Sequence, residues 1–128
     1  MEVHTNIPLK NFTTMKLGGP ARFFVEVHSV DELIAVYRNA TSKQVPIFIL
    51  GGGSNVVAKD EGFAGMVIRI RIPGFEIISD DINTTSIKIG AGEGWDEVVK
   101  RTVDLRLTGI EALSAIPGTT GAGPVQNI

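Results

Sequence analysis

Pro46-Ile47-Phe48-Ile49-Leu50-Gly51-Gly52-Gly53-Ser54-Asn55 is a short apolar run that ends in three glycines and two small polar residues. Pro46 marks its start, and the bulky residues Ile47 to Leu50 suit a central strand covered on both faces. Three glycines then open backbone conformations closed to other residues, so consecutive N–H groups can converge into a nest. Such a concavity holds phosphate without a cation, and Ser54 and Asn55 add side-chain donors. The plainer reading of the same residues is a tight turn or hinge.

Two familiar phosphate motifs are excluded. Lys59 follows Ala58 rather than glycine, so there is no P-loop, and Gly-x-Gly-x-x-Gly fails because Val56 and Trp95 occupy the last positions of the two candidate runs. A Rossmann dinucleotide fold is therefore not the favoured reading.

The 128 residues, 43% hydrophobic and 20% charged, suffice for one domain with a core. A formal net charge of −2 without a basic run gives no electrostatic case for nucleic acid or an anionic membrane. The absence of cysteine excludes disulfides, thiolate catalysis and Cys-ligated zinc, and is compatible with a reducing cytoplasm. Met1 to Asn6 lack the pattern of a signal peptide. The longest apolar run, Val45 to Leu50, is far below the ~20 residues of a membrane-spanning helix. The expectation is a cytoplasmic protein. Fifteen glycines exceed the average of about 7%, and their clusters at 18–19, 51–53, 90–94 and 118–123 suggest a large polar ligand lying along loops.

Residues 1–21 show no periodicity and read as an extended arm and turn. Arg22 to His28 alternate as a half-buried strand, and Ser29-Val30-Asp31-Glu32 is a capping box that opens a helix. Val30, Leu33, Ile34 and Tyr37 form its expected sheet-facing stripe, which fades near Lys43. With the 46–50 strand this makes a βαβ unit. Met66 to Ile72 read as a strand whose wet face carries Arg69 and Arg71, either of which could reach a phosphate but which are more commonly solvated in such a place. Phe75–Ile78 and Ser86–Ile89 form a hairpin whose turn acids, Asp80 and Asp81, are solvated and unsuited to acid–base work. A second helix follows Gly92-Glu93-Gly94, with Trp95, Val98, Val99, Thr102 and Val103 on one stripe and Gly109 as its stop. Trp95 reads as a packing anchor rather than a stacking partner for a flavin. His4 and His28 have no acidic neighbours at ligand spacing, so no metal site is expected.

The last segment, from Ala115 to Ile128, is a second glycine-rich loop with free amides and hydroxyls, and its ending within such a loop reads as a C-terminally truncated domain. Thr13-Thr14, Gly18-Gly19-Pro20-Ala21, Leu50 to Asn55, Asp60-Glu61-Gly62-Phe63, Gly90-Ala91-Gly92 before Trp95, and Ile116-Pro117-Gly118-Thr119 through Pro124-Val125-Gln126-Asn127-Ile128 occur in order. Together they closely resemble the UDP-N-acetylenolpyruvoylglucosamine reductase (MurB) family.

That resemblance implies an α+β FAD-binding fold of the vanillyl-alcohol oxidase and p-cresol methylhydroxylase type, with FAD between two small α/β subdomains. The expected division is an arm, 1–21, and an FAD-binding domain, 22–128, with a βαβ subdomain over about 22–60 and an incomplete second subdomain over about 66–128. It places the pyrophosphate cradle on Gly51, Gly52, Gly53, Ser54 and Asn55. The second FAD-contacting loop falls on Ile116, Pro117, Gly118, Thr119, Thr120 and Gly121, with Val125 and Gln126 approaching the flavin. Ala122-Gly123 departs from the Gly-Ala or Ala-Ala of many relatives before the proline. In the family NADPH reduces FAD, and serine, arginine and glutamate beyond the matched motif serve the enolpyruvyl reduction, so no catalytic residue is expected in this chain. The other readings are a non-catalytic flavin-binding module or fragment and another flavin oxidoreductase on the same fold.

Overall fold

The structure, a computed structural model, describes residues 1–126. Its elements in order are β1 (Val3–Pro8), a 3₁₀ turn (Leu9–Phe12), β2 (Pro20–Val27), α1 (Val30–Ser42), β3 (Ile47–Leu50), β4 (Phe63–Ile70), β5 (Phe75–Asp80), β6 (Thr85–Ile89) and α2 (Trp95–Asp104). Two 3₁₀ segments, Glu111–Leu113 and Thr120–Val125, follow.

A four-stranded sheet runs in the order β1-β2-β4-β3, with β2, β4 and β3 mutually parallel and β1 antiparallel to β2. Residues 3–8, expected to be part of an unpatterned arm, are thus a strand. Most of β1 is exposed, which is why its residues need no alternation. The βαβ unit from β2 through α1 to β3 exists, but β4 enters between its two strands. Consequently β3 is an edge strand rather than a central one, and Phe48 and Ile49 remain 38% and 50% exposed despite their bulk.

The sheet packs on both sides. On one, Phe24, Val67 and Leu50 lie under Leu9 of the 3₁₀ turn; on the other, Val25, Val27, Ile68 and Ile70 lie against Val36 of α1. Ser29 caps α1 by accepting from the Glu32 amide at 3.2 Å, while the Glu32 carboxylate reaches the His28 amide at 2.7 Å. The inner face of α1 differs in part from expectation: Leu33 packs against the sheet core as expected and Val36 and Ala40 are buried beside it, while Val30, Ile34 and Tyr37 are exposed. Smaller residues on the inner face permit a closer approach to the sheet. No helix among the described residues is long and apolar enough to cross a membrane.

Arg69 also departs from its expected wet face. Its guanidinium pairs with Glu26 at 2.7 Å and lies 5.0 Å from the Phe12 ring centroid, with Nε buried and unpartnered. Phe12 covers what alternation alone assigns to solvent. Both helices end in Schellman motifs on left-handed residues other than glycine, Gln44 and Arg106. The Val45 and Leu107 amides donate back to the Ala40 and Thr102 carbonyls, at 2.9 Å each. The stop of α2 is therefore Arg106, three residues before Gly109.

The β5–β6 hairpin is pinned by Asp81, whose carboxylate accepts from the Asn83 and Thr84 amides at 2.8 and 2.9 Å. These bonds, the Asn83 amide first, hold its pKa below the ordinary carboxylate range. Folding therefore favours the ionised form, and its contribution is present above about pH 4 and lost as pH falls through the folded-state value. The protection of the Asn83 and Thr84 amides, measured as exchange relative to the intrinsic rate at each pH, is expected to fall as Asp81 is protonated, and Asp81→Ala to abolish that acid dependence. Ile68→Ala should cost about 2–5 kcal/mol in denaturant unfolding and Ile49→Ala less than about 1.5 kcal/mol. Equal losses would contradict the edge position of β3.

Candidate functional site

The connection 51–62 carries the chain from the end of β3 back to the start of β4, because adjacent parallel strands need a crossover. Its first five residues are the glycine loop. Leu50, 1% exposed, anchors the loop at the sheet. Gly53 is buried with φ of 76°, and a Cβ there would fall on the Phe12 carbonyl oxygen. The Thr14 amide donates to the Gly53 carbonyl at 3.0 Å. The loop is thus seated on the 3₁₀ turn and the Thr13-Thr14 pair, support that the glycine pattern did not reveal. Among the described residues, the amides of Gly52, Gly53, Ser54 and Asn55 donate to no protein acceptor.

The second glycine loop lies directly against the first. A Cβ on Gly51 would meet Thr119 Oγ1 at 2.8 Å, and one on Gly52 would meet the Gly118 Cα at 3.3 Å. Ser54 Oγ donates to the Pro117 carbonyl at 3.5 Å, and the Asn55 side-chain amide donates to Gln126 Oε1 at 2.9 Å. Gln126 in turn donates to the Pro117 carbonyl at 3.4 Å. Residues more than sixty positions apart thereby form one seam of backbone and neutral polar groups. Gly118 has φ of 123°, a conformation that favours glycine.

A third glycine run holds the second loop from behind. Gly94 and Thr119 form an isolated antiparallel bridge, and the Trp95 amide donates to the Gly118 carbonyl at 3.0 Å. The Thr120 amide and hydroxyl both donate to the Glu93 carbonyl, at 2.8 and 3.1 Å, and the Gly121 amide donates to the Ala91 carbonyl at 3.0 Å. The expectation of free amides and hydroxyls throughout this loop therefore fails at Ala115, Thr120, Gly121, Ala122 and Gln126, whose amides are spent on structure. Trp95 is a packing anchor, its indole donating to the Leu113 carbonyl at 2.9 Å.

Of the sequence-derived candidates, Gly51, Gly52, Gly53, Ser54, Asn55, Pro117, Gly118, Thr119 and Gln126 meet at the seam. Ile116 is half-buried beside them, and Val125, 88% exposed, packs against little. Asn127 and Ile128 lie outside the described residues. No group of three or more His, Cys, Asp or Glu side chains among the described residues could hold a metal ion. Of the two arginines considered for a phosphate, Arg69 is engaged by Glu26, while the Arg71 side chain makes no hydrogen bond among the described residues. Consecutive amides without a protein acceptor, on a glycine loop that carries no side chain over them, fit the backbone chemistry of a diphosphate site.

Comparison with known proteins identifies the family of the chain. An FAD binding domain model matches residues 21–128. The chain is 47% identical over 123 residues to the UDP-N-acetylenolpyruvoylglucosamine reductase of Thermobifida fusca, covering 96% of this chain and 35% of that protein. It is 44% identical over 120 residues to the enzyme of that name from Salinispora arenicola, covering 94% and 33%. The chain spans about a third of the length of these curated relatives. The crystal structure of UDP-N-acetylenolpyruvylglucosamine reductase (MurB) from Thermus caldophilus superposes with a TM-score of 0.70 at 31% identity, covering 95% of this chain and 41% of that one. With the family model matched across β2 to β4, both glycine loops and α2, the chain belongs to the FAD binding domain family.

Proposed function

We propose that this chain is the FAD-binding portion of an NADPH-dependent UDP-N-acetylenolpyruvoylglucosamine reductase that forms UDP-N-acetylmuramate for peptidoglycan synthesis in the cytoplasm. The observation that carries the reading is the seam between the two glycine loops. Similarity to reductases of that name over nearly the whole chain supports the activity.

In this reading Gly52, Gly53, Ser54 and Asn55 present amides and short side chains to the FAD pyrophosphate, and Gly51 keeps the seam narrow. Gly118 and Thr119 supply the facing wall. Ile116 and Pro117 shape its apolar margin, Thr120 and Gly121 fix that wall to the backbone ahead of α2, and Val125 and Gln126 border the flavin. Residues 22–128 are the cofactor domain; β1, from the segment expected as an arm, and β4, from the segment expected in the second subdomain, both join the sheet of the first subdomain, so the division between the two falls after Ile70 rather than at about 60–66. Bound FAD would supply the two-electron chemistry of the reaction; the residues of this chain bind, orient and neutralise. No residue is assigned a catalytic role, and the sugar-nucleotide substrate belongs to the longer enzyme. Neutral amides suit the task because they offset the diphosphate charge without a buried cation that would require its own partner.

Titration of FAD into the purified chain is expected to quench flavin fluorescence saturably, and Gly52→Val, which fills the seam at Gly118, to weaken binding at least about tenfold. Unchanged flavin signals in the parent chain would contradict the reading. The pure chain is also expected to oxidise no NADPH in response to the enolpyruvyl sugar nucleotide, and substrate-dependent oxidation would overturn the absence of catalytic groups.

A further inference from the structure

The second glycine loop is entered through a residue that does not favour its own conformation. Ala115 has φ of 63°, in the left-handed region that costs a residue with a Cβ free energy, and it is exposed, so no packing holds it there. What holds it is Asp96, in the first turn of α2. Asp96 Oδ1 accepts from the Ala115 amide at 2.6 Å and from Ser114 Oγ at 3.0 Å. The neighbouring Trp95 engages the same segment on either side, its indole donating to the Leu113 carbonyl and its amide to the Gly118 carbonyl, at 2.9 and 3.0 Å. Two consecutive residues thus clamp Leu113 to Gly118 at four points.

We propose that Asp96 is a positioning residue for FAD: by holding Ala115 left-handed it aims Ile116–Gly121 at the dinucleotide. The proposal rests on the flavin reading above. Its alternative is an ordinary helix-start carboxylate, favoured by the helix dipole and indifferent to the loop. Three features distinguish the two. Both of its bonds converge on a single oxygen. Both donors come from the residues that immediately precede the loop. The other acids nearby are placed differently, since Glu93 Oε1 accepts from the Gly74 amide at 2.8 Å and Glu97 makes no side-chain hydrogen bond among the described residues. The Asp96 pKa lies below the ordinary carboxylate range, chiefly through the Ala115 amide, then Ser114, with Lys100 a lesser contributor.

Because both bonds fall on Oδ1, the side-chain carbonyl of asparagine can make them, whereas alanine cannot. The test measures FAD affinity, visible circular dichroism of the bound flavin and amide exchange at Thr120 and Gly121 in the parent chain, Asp96→Asn, Asp96→Ala and Asp96→Ala with Ala115→Gly. Asp96→Ala is expected to weaken FAD binding about tenfold, with faster exchange at both amides and an altered flavin signal. Asp96→Asn should stay within about threefold of the parent, and Ala115→Gly should recover part of the alanine loss, since glycine adopts the left-handed region freely. Parent-like affinity and exchange in Asp96→Ala would overturn the clamp while leaving the flavin reading intact. An asparagine variant as weak as the alanine one would overturn the positioning role in favour of charge. Failure of the parent chain to bind FAD would overturn the flavin reading and the clamp with it.

Discussion

Two stretches of backbone can lie against each other, with their amides left open to a ligand, only where neither carries side chains into the contact. That steric condition governs the site. Gly51 and Gly52 face Thr119 and Gly118 at distances that leave no space for larger groups, and Gly53 sits on the Phe12 carbonyl where any Cβ would collide. The glycines weaken the chain locally by enlarging its unfolded-state freedom. The surrounding structure compensates by pinning each loop elsewhere: the first on the end of β3 and the 3₁₀ turn, the second on the backbone ahead of α2.

The compensation explains why the sheet and helices are arranged as they are. Parallel pairing of β3 and β4 forces a long return connection, and the glycine loop occupies its first residues, beside a strand end buried at Leu50. On the other side, α2 acts less through its length than through its beginning. Ala91, Glu93, Trp95 and Asp96 together accept from or donate to seven groups of the segment 113–121. The start of α2 and the backbone just ahead of it therefore set the wall that the first loop faces.

Much of the local chemistry was legible in the sequence. Ser29 and Glu32 announced the start of α1, Asp80 and Asp81 the hairpin turn, and the glycine runs their loops, because caps and turns are decided by a few adjacent residues. Position within the sheet was not legible. Ile47 to Leu50 carry the bulk of a covered strand, but whether β4 pairs inside or outside β3 depends on partners far along the chain. The facing of α1 failed in part: of the expected stripe Val30, Leu33, Ile34 and Tyr37, only Leu33 packs against the sheet core, where Val36 and Ala40 meet it. Arg69 looked solvated by alternation until Phe12, from a segment without periodicity, closed over it. At the site, the residues of both loops were identifiable, while their supports at Thr14, Ala91 and Glu93 act through backbone atoms and leave no side-chain signature. The same holds for the spent amides of Thr120 and Gly121.

The most direct test of the central claim is an ¹H–¹⁵N correlation spectrum of the chain recorded during titration with FAD. If the seam is the pyrophosphate cradle, the amides of Gly52, Gly53, Ser54, Asn55, Gly118 and Thr119 shift together and saturate at one stoichiometric ratio, with the free amides of the first loop moving furthest. Saturable shifts confined to residues away from both loops, with these six amides unmoved, would contradict it.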